Sequence, residues 1–166
     1  MEKSRPAPTI CNIGNFTLEQ VASYNIHIDT GNTKTPSVIT LHEVPGFLIE
    51  AFSKFQQLEG CRVEGVFRKE GNSLRCKENP MPVFFGTKMI PPNFLVHDVC
   101  SWIKKFFREL RQPIFVTRET KLLQFAESLN GDVLFGALIS LLDRLPPSHM
   151  GTLGYLMRCL QEVKIN

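Results

Sequence analysis

"VPGFLIEAFSKFQQLEG", residues 44–60, sets Val44, Phe47, Leu48, Ala51, Phe52, Phe55 and Leu58 at steps of three and four. That period draws one apolar stripe along a helix, because side chains three and four apart share a face. Both ends are marked. Pro45 stands near the first turn, where a missing backbone N–H costs nothing, and Gly60 falls just past the last apolar position. The spacing predicts an amphipathic helix, and its period recurs through most of the chain downstream.

Asn72 can cap a second helix, which "NPMP" from Asn79 cuts off after about two turns. A loop is expected from there to "IPPNF". "HDVCSWIKKFFRELRQP" resumes the helical period through Val99, Trp102, Ile103, Phe106, Phe107 and Leu110 and stops at Pro113. Thr117 and Asp132 are candidate caps for two more helices, with Asn130 and Gly131 between them as residues suited to a left-handed helix end. Pro146, Pro147 and Ser148 open a last helix whose stripe is Met150, Leu153, Leu156, Met157, Leu160 and Val163. No central strand emerges, so the expected class is all α. Upstream, residues 1–40 alternate prolines, small polar residues and short apolar pairs without a sustained period. They read as a largely disordered arm with one strand near "NIHID", leaving residues 41–166 as the folded domain.

Composition allows such a domain: 166 residues, 43% hydrophobic and 21% charged. "MEKSRPAPTICNIG" contains no apolar run suited to a leader, and no stretch of about eighteen apolar residues suggests a membrane span. A cytoplasmic chain is expected. Five cysteines without a CxxC pair argue against a disulfide framework and against zinc. "NFT" at Asn15 matches a glycosylation acceptor by chance on that reading. A net charge of +3 is too small for nucleic-acid binding across the surface. Lys104, Lys105, Arg108, Arg111, Arg118 and Lys121 nevertheless cluster, and an acidic partner would be met there.

Machinery for catalysis is lacking. No GxxxxGK[ST] loop is present to cradle phosphates. His27, His42, His97 and His149 are never paired at the spacing of a metalloprotease helix, and His97 with Cys100 alone cannot close a tetrahedral site. Nothing around Cys100 would activate a nucleophile. No cofactor or metal is expected.

Two features remain. Lys104 and Arg108 lie one turn apart on one helix face, where like charges repel by roughly 0.2–0.5 kcal/mol. A solvated face, partly relieved by Lys105 and Glu109, is the commoner outcome of such a pattern, and a docking face for a carboxylate-rich or phosphate-bearing partner is the alternative. Arg68 sits in "GVFRKEGNSLR" directly after the apolar pair Val66 and Phe67, framed by Gly65 and Gly71. Surface arginines usually carry no such meaning, but glycines permit turns that hold a side chain at a fixed place.

"EGVFRKEGNSLR", then "HDVCSWIKKFFRELRQPIF", then "LLDRLPPSHMGTLGYLMRCL" together resemble the RhoGAP family, the GTPase-activating domain for Rho-family small GTPases. The similarity runs from Val44 to Val163 and implies a helical bundle. It also implies an activator of another enzyme that is not itself a hydrolase, with a Rho-family GTPase in its GTP-bound state as partner. Arg68 matches the arginine of the family's G-[IVL]-[FY]-R motif, the finger inserted into the GTPase active site. Lys104 and Arg108 match its K-x-x-x-R-E-L motif, which the resemblance assigns to organising the finger loop and docking the GTPase. Asn72 is set with them as a partner-binding residue. A guanidinium suits the task because it stays charged and offers several donors in one plane to phosphoryl oxygens.

The sequence departs from that family at three places. "NPMPVFFGTKM" replaces the helix that continues past the finger loop, "LRQP" stands where L-P-E-P is usual, and the chain stops at "LQEVKIN" before the N-L-A-x-x-F-G-P segment. On this reading the domain lacks its C-terminal helices, leaving the last stripe uncovered and open to self-association. The alternative function is a module that binds a GTPase or another partner with little or no activation.

Overall fold

The computed structural model describes residues 2–5, 16–29, 38–115, 121, 124 and 130–164. Before the helices lies a three-stranded antiparallel sheet of β1 (Glu2–Arg5), β2 (Ser23–Asp29) and β3 (Val38–Pro45), with β2 in the middle. The strand expected near "NIHID" is part of β2. Its partner β3 carries no clean alternation of apolar and polar residues, and pairing Tyr24 with Val44 and Asp29 with Val38 makes it a strand.

β3 runs straight into α1 (Gly46–Gln57), so Val44 and Pro45, expected in the helix, end the strand instead. The switch is tight: Gly46 N–H donates to the Ala22 carbonyl at 2.8 Å, and a Cβ on Gly46 would stand 2.8 Å from the Tyr24 ring. α2 (Met81–Phe84), α3 (Val96–Arg108), α4 (Gly131–Leu142) and α5 (Pro147–Lys164) follow. From residue 46 onward every regular element among the described residues is helical, as expected. The α2 turn corrects the loop expected up to "IPPNF": Pro80 and Pro82 fit a first turn, and the Asn79 side chain accepts the Met81 amide at 3.1 Å. At α4 Asn130 takes the cap position and Asp132 lies within the first turn, where its charge complements the helix dipole. The cap expected at Thr117 falls outside the described residues.

An aromatic cluster forms the centre. Phe47 from α1, Phe84 from α2 and Phe106 from α3 meet at centroid distances of 4.6–5.3 Å. Phe16 completes the cluster, fully buried and 5.2 Å from Phe106. It belongs to the stretch expected as an arm, and its backbone is held as firmly as its ring: Phe16 N–H donates to Glu109 and the Arg111 N–H donates to Phe16. One buried aromatic in a polar, aperiodic stretch gives no period to read.

α5 lies against β3. A Cβ on Gly151 would overlap the His42 carbonyl, and one on Gly154 would touch Leu41, so these glycines allow helix and strand to approach closely. Tyr155, Leu156 and Val163 pack onto the core, while Met157 is 52% exposed. Of the expected bare stripe, Leu156 and Val163 are thus partly covered by the core and Met157 is not.

Candidate functional site

Arg68 stands on a loop whose backbone is turned by two left-handed residues, Gly65 at φ 75° and Phe67 at φ 63°. Glycine adopts that region freely, whereas phenylalanine is held there at a cost. The holding is visible: the Phe67 ring stacks on Phe55 of α1 at 5.8 Å, and the N–H groups of Arg68 and Lys69 both donate to the Gly65 carbonyl. Phe67 thus points inward and Arg68 outward. The Arg68 guanidinium is exposed and makes no hydrogen bond or ion pair among the described residues, whereas Arg62 pairs with Glu59 and Arg75 with Asp98.

The loop then crosses α3, which receives it with three side chains at three-residue spacing. Asp98 accepts the Asn72 N–H at 2.7 Å and the Arg75 Nε at 2.6 Å. Ser101 Oγ accepts the Gly71 N–H at 2.8 Å and itself donates to Glu70 at 2.9 Å. Lys104 Nζ reaches the other Glu70 oxygen at 2.5 Å. Lys104 holds Glu70 below the ordinary carboxylate range, with Ser101 adding to the effect. Burial pushes Asp98 up, but Arg75 and the amides of Leu95 and Asn72 outweigh it and hold that carboxyl below its ordinary value.

Of the residues singled out in the sequence, Lys104 lies in the structure that braces the Arg68 loop. Its charge is met by Glu70, so the expected repulsion with Arg108 is relieved by a residue 34 positions upstream and not within the helix. Arg108 is exposed at the last turn of α3. Asn72 uses its side-chain oxygen internally, accepting the amides of Leu74 and Arg75 at 2.9 and 3.2 Å. The helix it was expected to start is only a turn at residues 73–74 that runs into a 3-10 turn at Arg75–Lys77, which ends where Glu78 is extended. Sequence reasoning missed Glu70, Arg75, Asp98 and Ser101, and named Gly71 only as a frame for the turn. The regular spacing of Asp98, Ser101 and Lys104 was legible as one polar helix face, but nothing local names the loop that lies on it.

The braced loop thus leaves the Arg68 guanidinium at the surface, without a partner among the described residues. The RhoGAP domain profile matches residues 45–166. The chain belongs to the RhoGAP domain family. It is 28% identical over 106 residues to the Rho GTPase-activating protein gacH of Dictyostelium discoideum, covering 63% of this chain and 19% of that protein. To the Rac GTPase-activating protein 1 of Mus musculus it is 27% identical over 124 residues, 72% of this chain and 19% of that protein. Its fold matches the crystal structure of the BH domain from Graf with a TM-score of 0.62 at 19% identity, over 70% of this chain and 64% of that one. The human Rho GTPase activating protein 15 gives 0.60 at 23% identity, over 72% and 58%. The chain thus spans about a fifth of the length of these two curated relatives. Among the described residues no helix is long and apolar enough to cross a membrane.

Proposed function

We propose that this chain is a GTPase-activating module for Rho-family small GTPases and that Arg68 is the residue it lends. The observation that carries the reading is the contrast at the loop: the backbone around Arg68 is fixed by Phe67, Gly71 and α3, while its guanidinium is left without an internal partner among the described residues. GTP hydrolysis spreads negative charge over the transferring phosphoryl oxygens, and a planar, permanently charged donor aimed there lowers the barrier. The chain supplies that charge and leaves the chemistry to the GTPase. Arg108 and the outer face of Lys104 form the adjoining positive surface to which the GTP-bound partner docks, and no cofactor is needed for the task.

Single-turnover GTP hydrolysis by a set of Rho-family GTPases, with and without the chain, tests this. Acceleration is expected with at least one of them. Arg68→Ala should remove most of a gain that is about a thousand- to a hundred-thousand-fold when an arginine is lent in trans to Ras-type GTPases. Arg68→Lys should rescue poorly, because an ammonium cannot reproduce the planar donor set. Equal acceleration by the unmodified chain and Arg68→Ala would remove Arg68 from the role.

A second reading, a module that binds a GTPase without activating it, draws on the turn at Arg75–Lys77. No helix of its own continues behind the finger loop, so the loop's support comes from α3. Binding with hydrolysis at its intrinsic rate would favour that reading.

A further inference from the structure

Asp98 is fully buried, yet it carries a charge and lies outside every position that the motifs assign to a GTPase. A buried carboxylate is tolerated only where donors satisfy both oxygens. Here Oδ1 accepts the Asn72 N–H and, at 3.7 Å, the Cys76 thiol, while Oδ2 accepts Arg75 Nε and the Leu95 N–H. Leu95 precedes the first turn of α3, whereas Asn72, Arg75 and Cys76 follow the Arg68 loop. One side chain therefore ties the start of the helix to the trailing limb of the loop.

We infer that Asp98 is a positioning residue for Arg68, the buried latch that fixes the loop in register on α3; this rests on the reading of Arg68 given above. The second tie between loop and helix is weaker by position. Glu70 is 74% exposed at its side chain, and water competes for its bonds with Ser101 and Lys104. At Asp98 water is excluded, so each bond there holds more strongly. Gly71 shows how close the fit is, since a Cβ there would stand 2.6 Å from the Asp98 Cα. Release of the latch would free the limb that begins at Gly71, three residues after the arginine. A finger misplaced by about an ångström forfeits roughly a hundredfold in rate without losing its charge.

The test uses Asp98→Asn in the 166-residue chain. An amide of the same shape keeps one acceptor but turns an N–H donor toward Arg75 or Asn72. Two readouts are taken, with near-ultraviolet circular dichroism to establish folding. Saturating GTPase activation should fall by about ten- to a hundredfold while the concentration giving half-maximal effect changes by less than about threefold. Native trypsin cleavage after Arg68 and Lys69, read by mass spectrometry, should accelerate by about tenfold or more. Glu70→Gln should change both readouts less. Should Asp98→Asn fail to fold, Arg75→Gln removes the ion pair alone and should produce the same split. If the unmodified chain activates no GTPase, the finger reading falls, and the cleavage rate still decides whether Asp98 holds the loop. Unchanged cleavage in a folded Asp98→Asn protein, or a loss expressed wholly as weaker half-saturation, would overturn the latch.

Discussion

A Cβ placed on Gly71 would stand 2.6 Å from both the Cα and the Oδ1 of Asp98, and 2.9 Å from its backbone nitrogen. Two of those atoms are backbone of α3 and cannot swing away. Glycine is required at this position by proximity and not by a left-handed turn. Gly71→Ala should therefore lift the loop from the helix, and overpacking of this kind typically costs about 1–3 kcal/mol. Urea unfolding checks it: the midpoint should fall with an unchanged slope. A midpoint equal to that of the parent would show that the loop is not seated as described.

A charge swap can separate the observed role of Lys104 from the proposed one. Within the chain it meets Glu70, and in the proposed function it also contributes to the surface to which the GTPase docks. Glu70→Lys combined with Lys104→Glu should restore the protection of the Gly71 amide against hydrogen exchange that either single change weakens. GTPase binding should stay poor in the double variant, because the sign of the docking surface has been altered. Recovery of both together would mean that Lys104 serves only the loop.

How far the sequence disclosed this arrangement depended on the range of the interaction. The stripes from Phe47 to Phe55 and from Val99 to Phe106 are local periods, and the helices formed where those periods lie. The turn that carries Arg68 was legible because its frame of Gly65, Phe67 and Gly71 is local too. Phe16 and Asp98 were not, since each owes its role to a segment far along the chain: Phe16 to Glu109 and Arg111, Asp98 to Asn72 and Arg75. β3 was missed for the same reason, as its pairing with β2 and its cover by α5 replace the alternation that would have marked a strand.

Acid should loosen the Arg68 loop late. Although burial pushes the Asp98 carboxyl up, Arg75 and the amides of Leu95 and Asn72 hold it below the ordinary value of 3.8. The folded protein thus takes up this proton less readily than the unfolded chain. The stabilisation is complete above 3.8 and is lost as pH falls through the lowered value. Amide exchange at Asn72, corrected for its intrinsic rate, should show constant protection from about pH 7 down to about pH 4. A local readout is needed because Glu50, pushed up by burial against the opposing Ile90 amide, makes an opposite contribution to global stability. Loss of Asn72 protection near pH 5 would contradict the assignment.

Three thiols should be inert. Burial pushes Cys76, Cys100 and Cys159 up to about 11, with Asp98 adding to the effect at Cys76. Only the thiolate attacks an alkylating reagent. Native labelling with iodoacetamide at about pH 7.5 should therefore modify these three at least about tenfold more slowly than the same residues in the urea-unfolded chain. Comparable rates in the two states would show that the sites are open to solvent.

Phe67 offers the sharpest separation of backbone from side chain. Its φ of 63° is costly for any residue with a Cβ, and its ring repays that cost by stacking on Phe55 at 5.8 Å. Phe67→Ala removes the ring and keeps the strain, whereas Phe67→Gly removes both. The glycine variant should accordingly be the more stable of the two by about 1 kcal/mol, the reverse of the order found where φ is negative. Both should be less stable than the parent, since each loses the aromatic contact. Stability and activation should then diverge. Glycine leaves the residue before Arg68 free to turn, so at saturation Phe67→Gly should accelerate GTP hydrolysis no better than Phe67→Ala despite its greater stability. Chemical denaturation combined with the single-turnover assay measures both quantities on the same preparations. A Phe67→Ala protein more stable than Phe67→Gly would refute the left-handed backbone, and a Phe67→Gly protein as active as the parent would show that Arg68 does not depend on Phe67 for its position.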